Sequence, residues 1–284
     1  MRIVSLIPVL LIFLASCYTP RYMYSPAAHN VPVLVQKGDS KLSAMISSNL
    51  SEKSVSNNRT NESKSRGFDL QGAYAISNNF AIQANYFKRT ESNNGDSEVG
   101  RLDSSVINYK RNLTEFGLGY FKSLHRRDKV FFQVFGGIGK GKFSFTDDGR
   151  ELNNISYRKT HQTDVTKFYL QPAMMFRPTS HFTISVSTRL SFIKFGNIKT
   201  GYSQDELYNY HLDSLSYGAR SFWEPAFTNT IGFKKLPGIQ FEYQFGFSAL
   251  LSKRYIDHRS FNFSAAIMLD IPKLFTRNTP GDKN

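Results

Sequence analysis

The sequence predicts an all-β chain, a transmembrane antiparallel up-and-down β-barrel of about ten strands with short turns at one end and long loops at the other. Three observations carry this. First, Gly238–Leu251 reads GIQFEYQFGFSALL, in which Ile239, Phe241, Tyr243, Phe245, Phe247 and Ala249 alternate with Gln240, Glu242, Gln244, Gly246 and Ser248. A period of two sets these residues on opposite faces of a strand, one aromatic and apolar, the other polar and small. Second, the alternation returns along most of the chain. Third, the connections alternate long and short. A soluble sandwich also alternates, but it buries its apolar face under a second sheet. Past the N-terminus no apolar run is long enough for a spanning helix, and the negative mean hydropathy suits a barrel whose inner face is polar.

Taken in order, Asp39–Leu50 is the first expected strand, with Leu42, Ala44, Ile46 and Leu50 on one face, and Ser51–Arg66 is a polar loop. Gly67–Arg89 is a hairpin around Ser77-Asn78-Asn79, with Phe68, Leu70, Tyr74, Phe80, Ile82 and Tyr86 outward. Thr90–Arg111 is a long loop, Leu113–Phe121 a strand and Lys122–Lys129 a basic turn. Val130–Phe145 is a strand in which Gly136, Gly137, Gly139 and Gly141 imply a bend or close packing inside the barrel. Thr146–Thr160 is a loop; Phe168, Leu170, Pro172, Met174 and Phe176 face out on the next strand; Pro178–His181 is a turn; Phe182–Phe192 is a strand. Asn197–Ala219 is the longest loop, Phe222–Phe233 a strand and Lys234–Pro237 a turn. After the opening stretch come a moderate loop, Ser252–Arg259, and a closing strand, Phe261–Ile271. Pro172 and Pro225 each remove a ladder donor and are expected at bulges. An even strand number puts both termini at the short-turn, periplasmic end, with the long loops extracellular.

The N-terminus is the most specific stretch. Met1-Arg2 and the apolar Ile3–Leu14 have the length and charge of a signal peptide. They end in Leu14-Ala15-Ser16-Cys17, which resembles the lipobox of bacterial lipoproteins, whose cysteine is acylated and becomes the first mature residue. Cys17 is the only cysteine, so it is not kept for a disulfide. The expected organisation is residues 1–16 as signal peptide, 17–38 as a lipidated periplasmic tether, 39–272 as barrel and 273–284 as a polar tail. The expected location is the bacterial outer membrane, with the lipid anchor on the periplasmic side.

Lys and Arg outnumber Asp and Glu by 36 to 22, giving a formal net charge of +14. The basic residues lie on many loops and no nucleic-acid module is recognisable, so nucleic acid is not an expected partner. The expected partners are the lipid bilayer, the barrel-assembly and lipoprotein-sorting machineries during biogenesis, and lipopolysaccharide phosphates met by Arg66, Lys88, Arg89, Lys110, Arg111, Lys199, Lys253, Arg254 and Arg259.

The inward face is expected to hold a polar network of Asp69, Gln71, Glu115, Gln171, Arg177, Arg189, Glu224, Glu242 and Asp270, with Gln83, Asn85, Gln133, Gln240 and Gln244 beside it. A ten-stranded barrel is little wider than those filled by side chains. A salt-bridged, closed lumen with a structural or surface-interaction role is therefore the first reading, and a narrow pore for ions or small polar solutes the second. Gly136–Phe143 (GGIGKGKF) approaches a phosphate-binding loop, but Phe143 stands where Ser or Thr would hold Mg²⁺ and no helix follows. His29, His125, His161, His181, His211 and His258 have no metal-ligand spacing, and no cofactor is expected. His211 with Asp213, His161 with Asp164, and His258 with Asp257 lie near strand tops. There the chain is similar in topology to the ten-stranded omptin proteases, although its Asp and His order differs, and a rim hydrolase stands as a third reading.

As a whole the chain resembles the lipid-anchored outer-membrane β-barrel proteins of Bacteroidetes-type bacteria. The resemblance rests on Leu14–Cys17, on Tyr24–Pro32 (YSPAAHNVP) and on Phe68–Ala75 (FDLQGAYA). It implies a fold and a location, and no substrate.

Overall fold

The computed structural model of the chain describes residues 20–49, 53–56, 59–95, 105–124, 129–150, 155–233 and 235–271. Among these are β1 (Ser40–Ser48), β2 (Lys53–Ser56), β3 (Arg59–Ala75), β4 (Phe80–Gly95), β5 (Ser105–Ser123), β6 (Val130–Arg150), β7 (Ser156–Thr179), β8 (Phe182–Thr200), β9 (Arg220–Phe233), β10 (Leu236–Phe247), β11 (Ala249–Leu250) and β12 (Phe261–Leu269). β1 closes the sheet by pairing antiparallel with β12 on one side and β3 on the other. The result is a closed antiparallel barrel of ten strands. β2 adds a hairpin to β3, and β11 continues β10 against β9. Closure leaves no unpaired edge in the ring, the condition a sheet must meet to sit in hydrocarbon.

The alternation in sequence becomes an alternation of faces. Outward residues form an apolar belt that includes Ile46, Phe68, Phe80, Phe116, Leu118, Phe168, Phe192, Trp223, Phe245 and Ile267; Ile46 is 71% exposed and Phe116 62%. Inward partners on the same strands, such as Asp69, Glu115, Gln171 and Glu242, are almost fully buried. An exposed apolar surface this continuous is unfavourable in water at roughly 25 cal/mol per Å², and a lipid covering removes that cost. On β7 the belt runs from Phe168 to Phe176, nine residues, the length of a spanning strand.

The wall is taller than the belt. β7 has 24 residues, about 80 Å of chain at ~3.3 Å per residue. Much of what composition reads as loop is paired strand. Residues 59–66, 90–95 and 105–111 lie in β3, β4 and β5, and residues 146–150 and 156–160 in β6 and β7. Their polarity reflects position above the belt, with water on the outer face. Pro172 and Pro225 cause no register shift. Pro172 sits opposite Val134 and Pro225 opposite Thr188, each in step with its neighbours. The irregularities fall instead at Gln162/Asp164, Phe176/Thr179 and Leu236/Gln240. The longest loop also holds structure, a helix α1 (Gln204–Asn209) and a single 3-10 turn, Asp213–Ser216. Ser203 and Glu206 cap α1 reciprocally, each side chain bonding the other's backbone N–H.

Candidate functional site in the lumen

Residues 20–35 lie inside the barrel, and Gln36 and Lys37 are exposed at the short-turn end. This overturns the expectation of a periplasmic tether for that stretch; Cys17 and the predicted signal peptide lie outside the described residues, as does the polar tail from 273. Tyr24, Ala28, His29, Asn30, Val31 and Leu34 are almost completely buried. The segment makes one isolated bridge, between Tyr24 and His258, and otherwise belongs to no strand. An extended backbone away from water needs partners for its N–H and C=O groups. Side-chain amides of the wall supply them. Gln244 clamps one residue at both ends: its Oε1 accepts from the His29 N–H at 2.7 Å and its Nε2 donates to the His29 carbonyl at 3.0 Å. Gln71 donates to the Ala28 carbonyl at 3.2 Å and Gln171 to the Asn30 carbonyl at 2.8 Å. Asn30 donates onward to the Gly72 carbonyl and to Asn85. Glutamine suits this work because its amide carries a donor and an acceptor, as a peptide does.

Packing follows the same logic. The segment's small and aliphatic residues join apolar clusters of the wall, Ala28 with Met45 and Ala266, Leu34 with Ala75, Ala81 and Phe121. The glycines of β5 and β6 admit large rings from neighbouring strands. A Cβ on Gly137 would lie 2.2 Å from the Phe116 carbonyl and 2.6 Å from the Tyr169 ring, and one on Gly119 2.3 Å from the Phe135 ring. Gly137, Gly139 and Gly141 thus give close packing on the inner face, and no bend interrupts the ladder there.

The charged residues fall in three tiers. At mid-height Lys167 contacts Glu115 at 3.0 Å and Glu224 at 3.8 Å, and Arg189 contacts Glu115 at 3.8 Å and Gln171 at 2.9 Å. Two cations balance two carboxylates, and the Tyr24 hydroxyl donates to Glu224. Toward the short turns Lys41 pairs with Glu242 at 2.9 Å. There Arg177 lies over the Phe131 ring, and Arg177, Asp270, Val33 and Lys41 border a cavity of about 260 Å³. Toward the long loops Glu91 takes Arg111 at 2.9 Å and Arg259 at 3.1 Å, while Arg89 donates to Ser25, Pro26, Ser47, Asn49 and Asn262. Asp69 accepts from the Ala28 N–H and from Ser47. The structure thus gathers the predicted network around the buried segment but separates it into tiers. It also adds Lys41, Arg89, Glu91, Arg111 and Lys167, which the sequence reading left out of the lumen. Arg89 and Arg111, expected on extracellular loops facing lipopolysaccharide phosphates, are fully buried. Their place could have been found by carrying the inward parity of Gln83, Asn85 and Glu115 further along the strands.

At the long-loop mouth Arg21 pairs with Asp147 and stacks over Tyr210, and the Tyr202 hydroxyl donates to Asp147 at 2.5 Å. Burial and the adjacent Asp147 carboxylate push the Tyr202 hydroxyl above the ordinary tyrosine range. Burial and Asp257 push Tyr255 up to about 12. On α1, burial would raise Glu206, but Lys159 and Ser203 bond its carboxylate and hold it below the usual range. Two of the three His–Asp pairs separate, while His211 and Asp213 border one depression. His161 is buried and stacks on Phe145, while Asp164 accepts from Asn197 on the outer face. Asp257 accepts the Arg21 N–H, and a ring nitrogen of His258 faces the Ile256 carbonyl. His211, in the left-handed region at φ 56°, stands edge-on to Tyr255 beside a shallow depression shared with Asp213, Tyr217 and Arg254. Among the described residues no cluster of His, Cys, Asp and Glu could hold a metal ion.

No protein-family model and no curated protein matches the chain. Among solved structures it is similar to the outer membrane protease OmpT of Escherichia coli, at 8% identity and a TM-score of 0.43 over 83% of this chain and 94% of that one. It is also similar to an outer membrane channel from Pseudomonas putida F1, at 8% identity and a TM-score of 0.40 over 85% and 99%. A third is Ail, the attachment invasion locus protein of Yersinia pestis, at 18% identity and a TM-score of 0.30 over 58% and 92%.

Proposed function

We propose that the protein is an outer-membrane β-barrel lipoprotein, acylated at Cys17, whose lumen is closed by its own N-terminal segment, and that its role is structural or interactive at the cell surface. The observation that carries this reading is the burial of residues 20–35 along the lumen, hydrogen-bonded by wall glutamines at mid-height. A permeant ion would have to displace this backbone and the neutral quartet of Lys167, Arg189, Glu115 and Glu224 together. The apolar belt supports the membrane location, and the Leu14–Cys17 motif supports acylation.

The outer face supports lipopolysaccharide as a partner for this surface role. Just beyond the belt, on the long-loop side, Lys88, Lys110, Lys140, Lys142 and Lys194 are exposed, and the register sets Lys88, Asn112 and Lys142 in one row. A basic collar at that height fits the phosphates of lipopolysaccharide. The deciding experiment is planar-bilayer recording on refolded protein. The full chain is expected to give flat traces, and a variant lacking residues 20–35 to give discrete conductance steps. Sustained steps from the full chain would replace this reading with the pore.

A further inference from the structure

The buried segment has a direction. Its C-terminal end lies at the short turns, where the Gly38 N–H donates to the Ala75 carbonyl at 2.9 Å and the Lys37 N–H to Asn78 at 3.0 Å. Its N-terminal end lies at the opposite mouth. The Pro20 carbonyl accepts from the Tyr109 hydroxyl at 3.0 Å, the Arg21 N–H donates to Asp257 at 3.2 Å, and the Met23 N–H donates to the Asp257 carbonyl at 2.8 Å. Arg21 pairs with Asp147 at the top of β6. Pro20 and Arg21 are therefore held by β5, by β6 and by the connection from β11 to β12, all at the long-loop end.

We infer that the mature N-terminus emerges at the long-loop mouth, and that an acyl group on Cys17 is held on the cell-surface side of the membrane. The second half rests on the acylation and orientation proposed above. Only Tyr18 and Thr19 separate Cys17 from Pro20, and the three Cα steps between them span at most about 11 Å. A bilayer core is ~30 Å thick, so a chain threaded in this direction cannot return Cys17 to the inner leaflet. This reverses the expected periplasmic anchor. It also gives the mouth a job: Asp147, Asp257 and Tyr109 fasten the end of a segment that would otherwise slide.

The test uses the full-length protein in cells. A short epitope is inserted between Tyr18 and Thr19 in one strain, at Gly218 in the longest loop in a second, and at Asn78 in a short turn in a third. Folding of each is checked by heat-modifiable gel migration. Antibody is expected to reach the first two on intact cells and the third only after the outer membrane is permeabilised. An N-terminal epitope reached only after permeabilisation, with the Gly218 epitope open, would overturn the threading inference. If Gly218 too were closed, the orientation itself would fall. Metabolic labelling with an alkyne fatty acid addresses the anchor separately. Label is expected on the wild type and lost in Cys17→Ala; an unlabelled wild type would remove the acyl group and leave the threading result standing.

Discussion

Lys167 on β7 and Glu115 on β5 lie 3.0 Å apart at the centre of the barrel, with Glu224 on β9 and Arg189 on β8 completing a neutral quartet. All four side chains are essentially inaccessible. A buried pair gains little over a well-packed apolar substitute, but removing one partner strands the other. Lys167→Met would leave Glu115 and Glu224 with Arg189 as their cation. It is expected to cost about 3–5 kcal/mol, read as a lowered urea midpoint of the refolded barrel. Adding Glu115→Gln should recover part of that loss, and equal midpoints for the single and double variants would argue against coupling.

Inner-face and outer-face glycines give a steric contrast. Gly137→Ala and Gly119→Ala place a methyl group within 2.2 Å and 2.3 Å of fixed neighbours. Each is expected to destabilise by roughly 1–3 kcal/mol through overpacking. At Gly136 the nearest atoms are at 3.7 Å and 3.9 Å, so Gly136→Ala should fold with an unchanged midpoint. Thermal unfolding followed by gel migration separates the three.

Gln244→Leu removes both backbone partners of His29 while keeping volume. A buried amide or carbonyl left unpaired costs ~1–3 kcal/mol. Amide hydrogen exchange at Ala28–Asn30 is expected to accelerate at least tenfold, with exchange in the β5–β6 ladder unchanged. Equal acceleration everywhere would mean that the whole wall had loosened.

The α1 helix should respond to acid. Glu206 is held below its ordinary value by Lys159 and Ser203, so the folded state binds its proton less readily than the unfolded one. The stability this lends is full above the unfolded value of about 4.3 and is lost as pH falls from there through the lowered folded value. Exchange protection of Gln204–Asn209 should fall across that window in the wild type. In Lys159→Met the folded value is less depressed, so the fall should be smaller and should be complete at a higher pH.

Strand parity was legible because the barrel wall has the simplest of periods. The faces around Phe116, Phe168, Phe192 and Phe245 follow from alternation alone. The heights of the strands were not legible, because above the lipid belt both faces turn polar and a paired strand reads like a loop. Arg89 and Arg111 show the same effect, since a basic residue beside a polar stretch looks solvated until its partners Asn49 and Glu91 arrive from elsewhere in the chain. The largest miss, the lumen segment, had a signal. Residues 22–36 contain no Asp, Glu, Lys or Arg, an odd composition for a tether in water. Many inward glutamines faced them from the wall. Neither pattern is periodic, so neither registers in a search for strands.

One feature of the seam bears on how the barrel is made. Asp39 accepts from the Val35 and Gln36 N–H groups at 2.7 Å and 3.0 Å, and Gly38 turns at φ 92°, folding the lumen segment back against the start of β1. β1 is also the strand that meets β12 to close the ring. Filling and closure are therefore welded into one hairpin: the strand that zips the cylinder shut brings its own mandrel, and no empty tube need ever be formed.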